Sequence, residues 1–455
     1  MSAAEFSAAL DRLGPFEANP HLALAVSGGR DSLALAVLAA DWVKTRGGQA
    51  TALIVDHGLR LESADEARGV AAQLHVLGIA AEIRVWRGDK PVTGVAEAAR
   101  GERYRLLQQW CTDHGVLHLL VAHQHDDQAE TVLMRWGDGS GADGLAGMAS
   151  ISELASVRLL RPLLGISRAR LTATLQARGL SWIDDPTNRN LSYLRPRLRQ
   201  NVVPALTQSV VASAERFAHE RGAIEARLAA AAVECVSVKP EGWLSIERGY
   251  FARLPHELAR RLLSQAVFAL AGRNYRPRQK AVRRALIAID NAKASTVGGC
   301  RVVVRAAEIL VAREAGAIAH TVEVDAGQRA TLRWDGRFDL VLDGRELGGA
   351  ARGRIETLGE AGRLAVLQQV RFAGPVRDFV AALPTMAARA LPALWTVGRD
   401  GKTVDLLAVG DGGRLGGGPA TLSSSGTGWL KAAFRPGRPL APAAHTLVLA
   451  GQRLI

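Results

Sequence analysis

Cysteine is scarce: three in 455 residues, Cys111, Cys235 and Cys300, far apart and with no Cys-x-x-Cys among them. That usage argues against a disulfide framework, a thiolate zinc site or a cysteine-held iron–sulfur cluster. Long apolar runs are missing as well. The apolar stretches are short and broken by charges, so no segment is expected to cross a membrane. Met1–Leu10 has neither a basic stretch nor an apolar core; no signal peptide is expected and the chain reads as cytoplasmic. No internal repeat stands out. Acidic residues are the minority charge, 44 Asp and Glu against 57 Lys and Arg, for a net charge of +13. Such a surplus suits a polyanionic partner, nucleic acid being the commonest, unless it reflects a biased genome. With 48% hydrophobic and 22% charged residues the composition is globular, and the length predicts two or three domains.

The densest signal is Leu22–Ser32, Leu-Ala-Leu-Ala-Val-Ser-Gly-Gly-Arg-Asp-Ser. Leu22–Val26 has the length and apolarity of a buried strand, and the run from Leu33 reads as an apolar helix. Gly28 and Gly29 fall at the strand-to-helix turn, where backbone N–H groups without a neighbouring Cβ can approach a phosphate. The helix N-terminus adds free N–H groups and the positive end of its dipole. Ser27 and Ser32 can donate to phosphate oxygens, and Asp31 can hold a Mg²⁺ bridging them. The spacing is not Gly-x-x-x-x-Gly-Lys-Ser/Thr. It resembles the Ser-Gly-Gly-x-Asp-Ser loop of the PP-loop ATP pyrophosphatases, which split ATP between its α- and β-phosphates.

The first two hundred residues alternate strand-like and helix-like segments, the pattern of a parallel α/β sheet. Strands are predicted at Leu22–Val26, Ala50–Val55, Ala81–Trp86 and Leu117–Ala122, and helices at Ser32–Thr45, Ser63–Leu77 and Val95–His114. Ligand-binding loops of such sheets gather at the carboxyl ends of strands. Ser27–Ser32, Asp56–Arg60 and His123–Glu130 all fall there. Helices are expected near Ser209–Leu228, Leu254–Ala271 and Arg276–Asp290, with a hairpin of Arg301–Arg305 and Ile309–Arg313. Short strands and turns follow, with a helix near Val376–Leu383 and a Gly-, Ser- and Pro-rich tail around Gly412–Gly428. The division expected is a catalytic α/β domain over 1–207, a mostly helical middle domain over 208–315, and a small mixed α+β domain over 316–455.

His123-Gln-His125-Asp126-Asp127-Gln-Ala-Glu130 admits two chemistries. His-x-His-x-Asp is a ligand spacing of binuclear zinc hydrolases, here without the closing histidine, whose place Gln128 takes. Alternatively, His123, Asp126, Asp127 and Glu130 enter a helix facing the nucleotide loop, where carboxylates bind Mg²⁺ or a cationic substrate. A helix cap is a third use for them. Arg100 and Arg103 share a helix face and suit either phosphate or solvent. In Asp184-Asp185-Pro186-Thr187-Asn188 the proline and asparagine predict a turn, and Arg195, Arg197 and Arg199 suit phosphate or RNA contact, or the basic start of a helix. Gly401-Lys402-Thr403 imitates the end of a Walker loop but lacks its glycine, Thr396 standing there; a hairpin between Leu394–Val397 and Val404–Val409 is expected instead.

Taken together the chain resembles the tRNA(Ile)-lysidine synthases. The matching segments run in order through Ser27–Ser32, Val55–Arg60, Glu97–Tyr104, His123–Thr131, Gly139–Met148, Arg161–Leu164, Trp182–Asn188 and Tyr193–Arg199. Gln124 and Pro196 depart from the family, which commonly has histidine and asparagine at those places. The resemblance implies ATP and Mg²⁺ as cofactors, with tRNA(Ile) bearing a CAU anticodon and free L-lysine as partners, no membrane, and a homodimer left open. Asp31, His123, Asp126 and Asp127 would be catalytic, with Mg²⁺ on Asp31 and Asp127. ATP would lie on Ser27, Gly28, Gly29, Arg30, Asp31, Ser32, His57, Arg100 and Arg103. Lysine would meet Asp127, Glu130, Asp185 and Arg195, and tRNA would meet Arg195, Arg197 and Arg199. Two alternatives stay open: another base-adenylating tRNA-modifying enzyme of the PP-loop superfamily, and a non-catalytic RNA-binding protein on the same scaffold.

Overall fold

The computed structural model describes the chain apart from residues 61, 155, 184–196, 199–203, 273–274, 326–328, 344–351, 370–371, 373, 399–402, 411–428, 436–439 and 441–455. Two compact units emerge, Met1–Ala226 and Arg227–Pro442. Among the described residues no helix is long and apolar enough to cross a membrane.

The first unit is built on β1 (His21–Val26), β2 (Gln49–Asp56), β3 (Ala80–Val85), β4 (His118–Leu120), β5 (Ile151–Glu153) and β6 (Arg158–Leu160). Their order in the sheet is β3-β2-β1-β4-β6-β5. All neighbours run parallel except β5 against β6. Between the strands lie α2 (Arg30–Lys44), α3 (Ser63–Val76) and α4 (Val95–Asp113), after α1 (Ala3–Asp11). Beyond β4 come α5 (His125–Gly137), the single turn α6 (Ala142–Leu145) and α7 (Arg168–Ala177).

Side chains of a strand alternate between faces, so a strand covered on both sides can be apolar throughout. Leu22, Leu24 and Val26 of β1 join Ala52 and Ile54 of β2 in one core, beneath α1, α2, α3 and α7. Ala23 and Leu53 face the other way, into a core made with Leu107, Trp110 and Cys111 of α4. Almost all of α2 is buried, in keeping with its near-continuous apolar sequence. The expected four strands and three helices are present. β4 is shorter than the apolar run Leu117–Ala122, because the chain leaves the ladder once Val121 N–H has bonded to Leu160 O (3.0 Å).

The long helix expected near Ser209 is α8 (Pro204–Cys235). In the second unit the expected hairpin is β10 (Cys300–Val304) against β11 (Glu308–Arg313). β7 (Val236–Lys239), β8 (Trp243–Glu247) and β9 (Ser295–Val297) extend it to five strands. After α9 (Arg248–Arg253), the helices α10 (His256–Leu270) and α11 (Gln279–Asp290) pack into the core of this sheet. A seven-stranded sheet follows, in the order β12-β15-β16-β17-β18-β14-β13. Its strands are β12 (Val322–Asp325), β13 (Arg329–Trp334), β14 (Phe338–Asp343), β15 (Arg352–Thr357), β16 (Pro392–Val397), β17 (Thr403–Gly410) and β18 (Trp429–Phe434). β16 and β17 are the antiparallel strands expected on either side of Gly401-Lys402-Thr403, whose own residues 401–402 lie outside the described ones. Helices α12 (Gly359–Gln368), α13 (Pro375–Ala382) and α14 (Thr385–Arg389) accompany this sheet.

All three cysteines are buried. Burial pushes the Cys111 thiol up to about 12 and the Cys235 thiol up to about 11.

A buried ionic cluster knits the second unit. Arg337, wholly buried, donates from Nε to Asp335 Oδ2 (2.7 Å). Arg313 Nε lies 3.4 Å from the same oxygen while its terminal nitrogens donate to Gly299 O and Ala317 O (both 2.9 Å). One carboxylate thus serves two guanidinium groups. Removing one partner of a buried ion pair costs about 3–5 kcal/mol. Asp335→Ala should therefore lower the denaturant midpoint of the second unit markedly, with a loss near that range when followed by far-UV circular dichroism.

Candidate active site

After Val26 the chain turns through Ser27, Gly28 and Gly29 into α2. Gly28 has φ +78°, and a Cβ on it would collide with Val70 Cγ2 of α3, so conformation and space both demand glycine. Ser32 Oγ donates to Gly29 O (2.8 Å), accepts from Ser27 N–H (3.2 Å) and lies 3.2 Å from Ser27 Oγ. Its proton is committed to folding the loop. Gly29 caps α2 without a side chain, which leaves first-turn N–H groups for an anion.

The loop borders a cavity of about 900 Å³. Three strand ends furnish its walls: Ser27 and Gly29–Ser32 after β1, Asp56, His57 and Leu59 at the end of β2, and Val121–His123 after β4. Arg103 of α4, Arg168 of α7 and the Glu66 and Val70 side of α3 line it as well. The strand order reverses at β1, whose neighbours are β2 and β4, and ligands of open α/β sheets bind at such a reversal. The volume falls in the range of small-molecule sites, about 300–1,000 Å³.

Charge in the cavity is unevenly compensated. Burial raises the Asp31 carboxyl above its ordinary value, Arg168 opposes the rise, Asp127 adds to it and Arg30 opposes it. Arg168 Nε lies 3.7 Å from Asp31 Oδ2, and its guanidinium is 3.9 Å from Asp127 Oδ1. Arg30 Nε is 3.5 Å from Asp31 Oδ1, and the guanidinium lies over the Trp182 ring at 5.7 Å. His57 packs edge-on against Trp86, and burial followed by the charge of Arg103 holds its pKa below the usual value. Asp56 Oδ1 accepts from Gly58 N–H (2.9 Å), shaping the turn that presents His57.

α5 opens with a reciprocal cap. Gln124 Oε1 accepts from Asp126 N–H (2.6 Å), and Asp127 Oδ2 accepts from Gln124 N–H (3.2 Å). The glutamine at the departure from the family pattern thus does structural work as the cap residue. His125 Nδ1 lies 3.6 Å from Asp126 Oδ1. Glu130 is buried, and Gln128 bonds both ways with Met148, by Nε2 to Met148 O (3.1 Å) and from Met148 N–H (2.8 Å). That exchange pins the glycine-rich stretch before Met148.

Around one cavity the fold gathers Ser27, Gly29, Arg30, Asp31, Ser32, His57, Arg103 and His123, with Gly28 in the turn and Asp127 joined through Arg168. Asp126, Asp127 and Glu130 sit on the first turns of α5, outside the cavity wall itself. Arg100 is exposed, 5.2 Å from the Tyr104 ring centroid, and does not line the cavity. Arg197 is exposed; Asp185, Arg195 and Arg199 lie outside the described residues.

For a divalent cation the fit is that of a shared site. Among the described residues no cluster of three or more His, Cys, Asp or Glu comes together. Mg²⁺ is commonly held by one or two carboxylates plus substrate phosphates and water, and does not need a protein cage. Asp31 Oδ1 is buried with no close hydrogen bond, Arg30 Nε lying 3.5 Å away, and Asp127 is close enough to raise its pKa. A carboxylate pair in that condition fits Mg²⁺ taken together with a nucleotide.

Arg168 escapes the sequence reading, although a signal exists. It is the first residue of α7, where a cation opposes the helix dipole, and no acid accompanies it in that turn. A locally unfavourable charge of this kind marks a residue held for another purpose.

Gly28→Ala should weaken ATP binding at least tenfold, about 1.4 kcal/mol, in calorimetric titration. Gly28→Ala combined with Val70→Ala should recover only part of the loss, because the collision is relieved and the positive φ remains. Unchanged affinity in the single variant would detach this turn from nucleotide binding.

Residues 3–206 match the PP-loop domain family. A tRNA(Ile)-lysidine synthase of Bradyrhizobium diazoefficiens is 41% identical over 315 residues, 66% of this chain and 86% of the relative. Another, of Ruegeria pomeroyi, is 38% identical over 74% of this chain and 82% of its own. Among solved structures, a tRNA thiolase of Methanococcus maripaludis aligns with a TM-score of 0.40 and 20% identity, covering 47% of this chain and 78% of that one. Loop, cavity position and the extent of similarity to curated relatives agree, and the chain belongs to the tRNA(Ile)-lysidine synthase family.

Proposed function

We propose that this protein makes lysidine: it uses ATP to join free lysine to C2 of the wobble cytidine of tRNA(Ile) with a CAU anticodon. The cavity at the β1/β4 reversal carries the reading, because the PP-loop turn, His123, Asp31 and Arg168 line it together, with Asp127 reached through Arg168 just beyond its wall. The cytidine C2 oxygen attacks the α-phosphate of ATP, the bond to the β-phosphate breaks, and pyrophosphate leaves. Lysine's ε-amine then attacks C2, the bond to the adenylated oxygen breaks, and AMP departs. The anticodon changes from reading AUG to reading AUA.

Each residue group has a task in that sequence. N–H groups of the Gly28–Ser32 turn and Arg103 orient the phosphates, so that attack is in line. Asp31 and Asp127 would hold a Mg²⁺, which when bound offsets charge on the departing pyrophosphate. The attacking amine must lose a proton, and His123 on the cavity wall, or an acid of α5, accepts it. Asp127 and Glu130, with Asp185 and Arg195, would seat the lysine, whose ammonium needs a carboxylate before it is deprotonated. On this reading catalysis belongs to residues 1–207, with RNA binding extending into 208–315 and 316–455, and the enzyme works in the cytoplasm.

The outer face of α11 suits the tRNA backbone. Val282, Ala285, Leu286 and Ile289 turn inward, which leaves Lys280, Arg283 and Arg284 on one exposed stripe. Spacings of three and four residues align side chains on a helix face, as RNA phosphates require.

Labelled lysine should enter tRNA(Ile) with pyrophosphate release, and only with ATP and the wobble cytidine present. ATP cleavage without transfer would favour another base-adenylating tRNA enzyme, and absence of ATP binding a non-catalytic RNA-binding protein. Arg283→Glu with Arg284→Glu should weaken tRNA binding and flatten its log–log salt dependence by about one to two phosphate contacts' worth. ATP affinity should stay at the wild-type value in the same preparation.

A further inference from the structure

Arg168 stands between two acids without being locked to either. Its Nε and a terminal nitrogen lie 3.7 Å from Asp31 and 3.9 Å from Asp127, longer than close ion pairs such as Arg105–Glu102 at 2.7 and 2.8 Å. Its Nε is buried with no hydrogen-bond partner. The side chains are only partly exposed, 22% for Arg168 and Asp31 and 13% for Asp127, so water screens the three charges incompletely. Arg168 also lines the cavity, leaving open space into which its long side chain can turn.

A guanidinium lodged between two carboxylates competes with a divalent cation for them. Both bring positive charge to the same oxygens, and like charges at that separation repel strongly where solvent is sparse. A nucleotide's phosphates, however, offer the displaced guanidinium a partner of matching fork geometry. We propose that Arg168 is an exchanging counter-ion: it holds Asp31 and Asp127 when no nucleotide is bound and passes to the phosphates as those acids take up the metal. The inference rests on the reading that Asp31 and Asp127 hold Mg²⁺. It makes Arg168 a nucleotide-binding residue that couples metal entry to nucleotide entry, and the nucleotide-free protein a poor metal binder. The cation at the start of α7, unfavourable for the helix, acquires a purpose.

Mn²⁺ can replace Mg²⁺ as a paramagnetic probe of the full chain. Without nucleotide, Arg168→Gln should bind Mn²⁺ at least tenfold more tightly than wild type in electron paramagnetic resonance titrations. With ATP present the order should reverse, ATP·Mn²⁺ binding at least fivefold more weakly to Arg168→Gln. Arg168→Lys, which keeps the charge, should follow wild type without nucleotide. Adding Asp127→Asn to Arg168→Gln should abolish the gain. Equal Mn²⁺ affinity of Arg168→Gln and wild type, or an equal gain in Arg168→Lys, overturns the exchange alone. No Mn²⁺ binding to wild type even with ATP overturns the metal reading, and the exchange with it.

Discussion

A strand with partners on both edges and helices over both faces has no room for charge. β1 meets that constraint with leucine, alanine and valine beyond its first residue, and the rest of the first unit is arranged around it. Because Leu22, Leu24 and Val26 feed one core and Ala23 the other, a shift of one residue would exchange the two layers. Polar side chains are therefore displaced to the point where β1 stops. Ser27, His57 and His123 stand at three strand ends because the neighbouring strands obey the same rule. The position of the cavity is in this sense a product of the core.

The close packing of α3 against the turn extends the same logic. Val70 fills the space a side chain on residue 28 would need, so core packing reaches directly beneath the Ser27–Ser32 turn. The loop's own hydroxyl network, centred on Ser32, then holds the turn from within. Pre-organised N–H donors act on a bound anion without first having to be ordered. Opposed to this rigid side is the looser one, where Arg168 bridges two acids at ion-pair distances well beyond hydrogen bonding.

Much of the first unit was legible because its signals are periodic. A wholly apolar strand followed by glycines and an apolar helix has few other folded forms, and β1, α2, β2 and α4 fall within a few residues of their predicted limits. Arg100 and Arg103 were inseparable by spacing; only the rotation of α4 over the sheet decides that Arg103 lines the cavity and Arg100 faces solvent. Arg168 was hidden for a related reason: nothing near it in sequence resembles Asp31 or Asp127, and the three meet only when α7 packs beside the loop. Gln124 and Gln128 stand out in the sequence only as places where a histidine would be usual, not as the cap and the loop contact they make. In the second unit β7 and β8 are four and five residues long, too short for alternation to separate them from turns. Asp335, between Trp334 and Gly336, has the local sequence of an ordinary turn residue, although two buried guanidinium groups converge on it.

The buried cysteines give the chain a property unrelated to its chemistry. Cys111 belongs to the first unit, whereas Cys235 and Cys300 belong to the second, and each is shielded by its own core. Only thiolate reacts readily with alkylating reagents, and at Cys111 and Cys235 the raised thiol pKa values suppress it further while the fold is closed. Alkylation must then wait for the surrounding core to open. Peptide-resolved alkylation rates would read the opening of the two units separately, in the unmodified enzyme and without an introduced label.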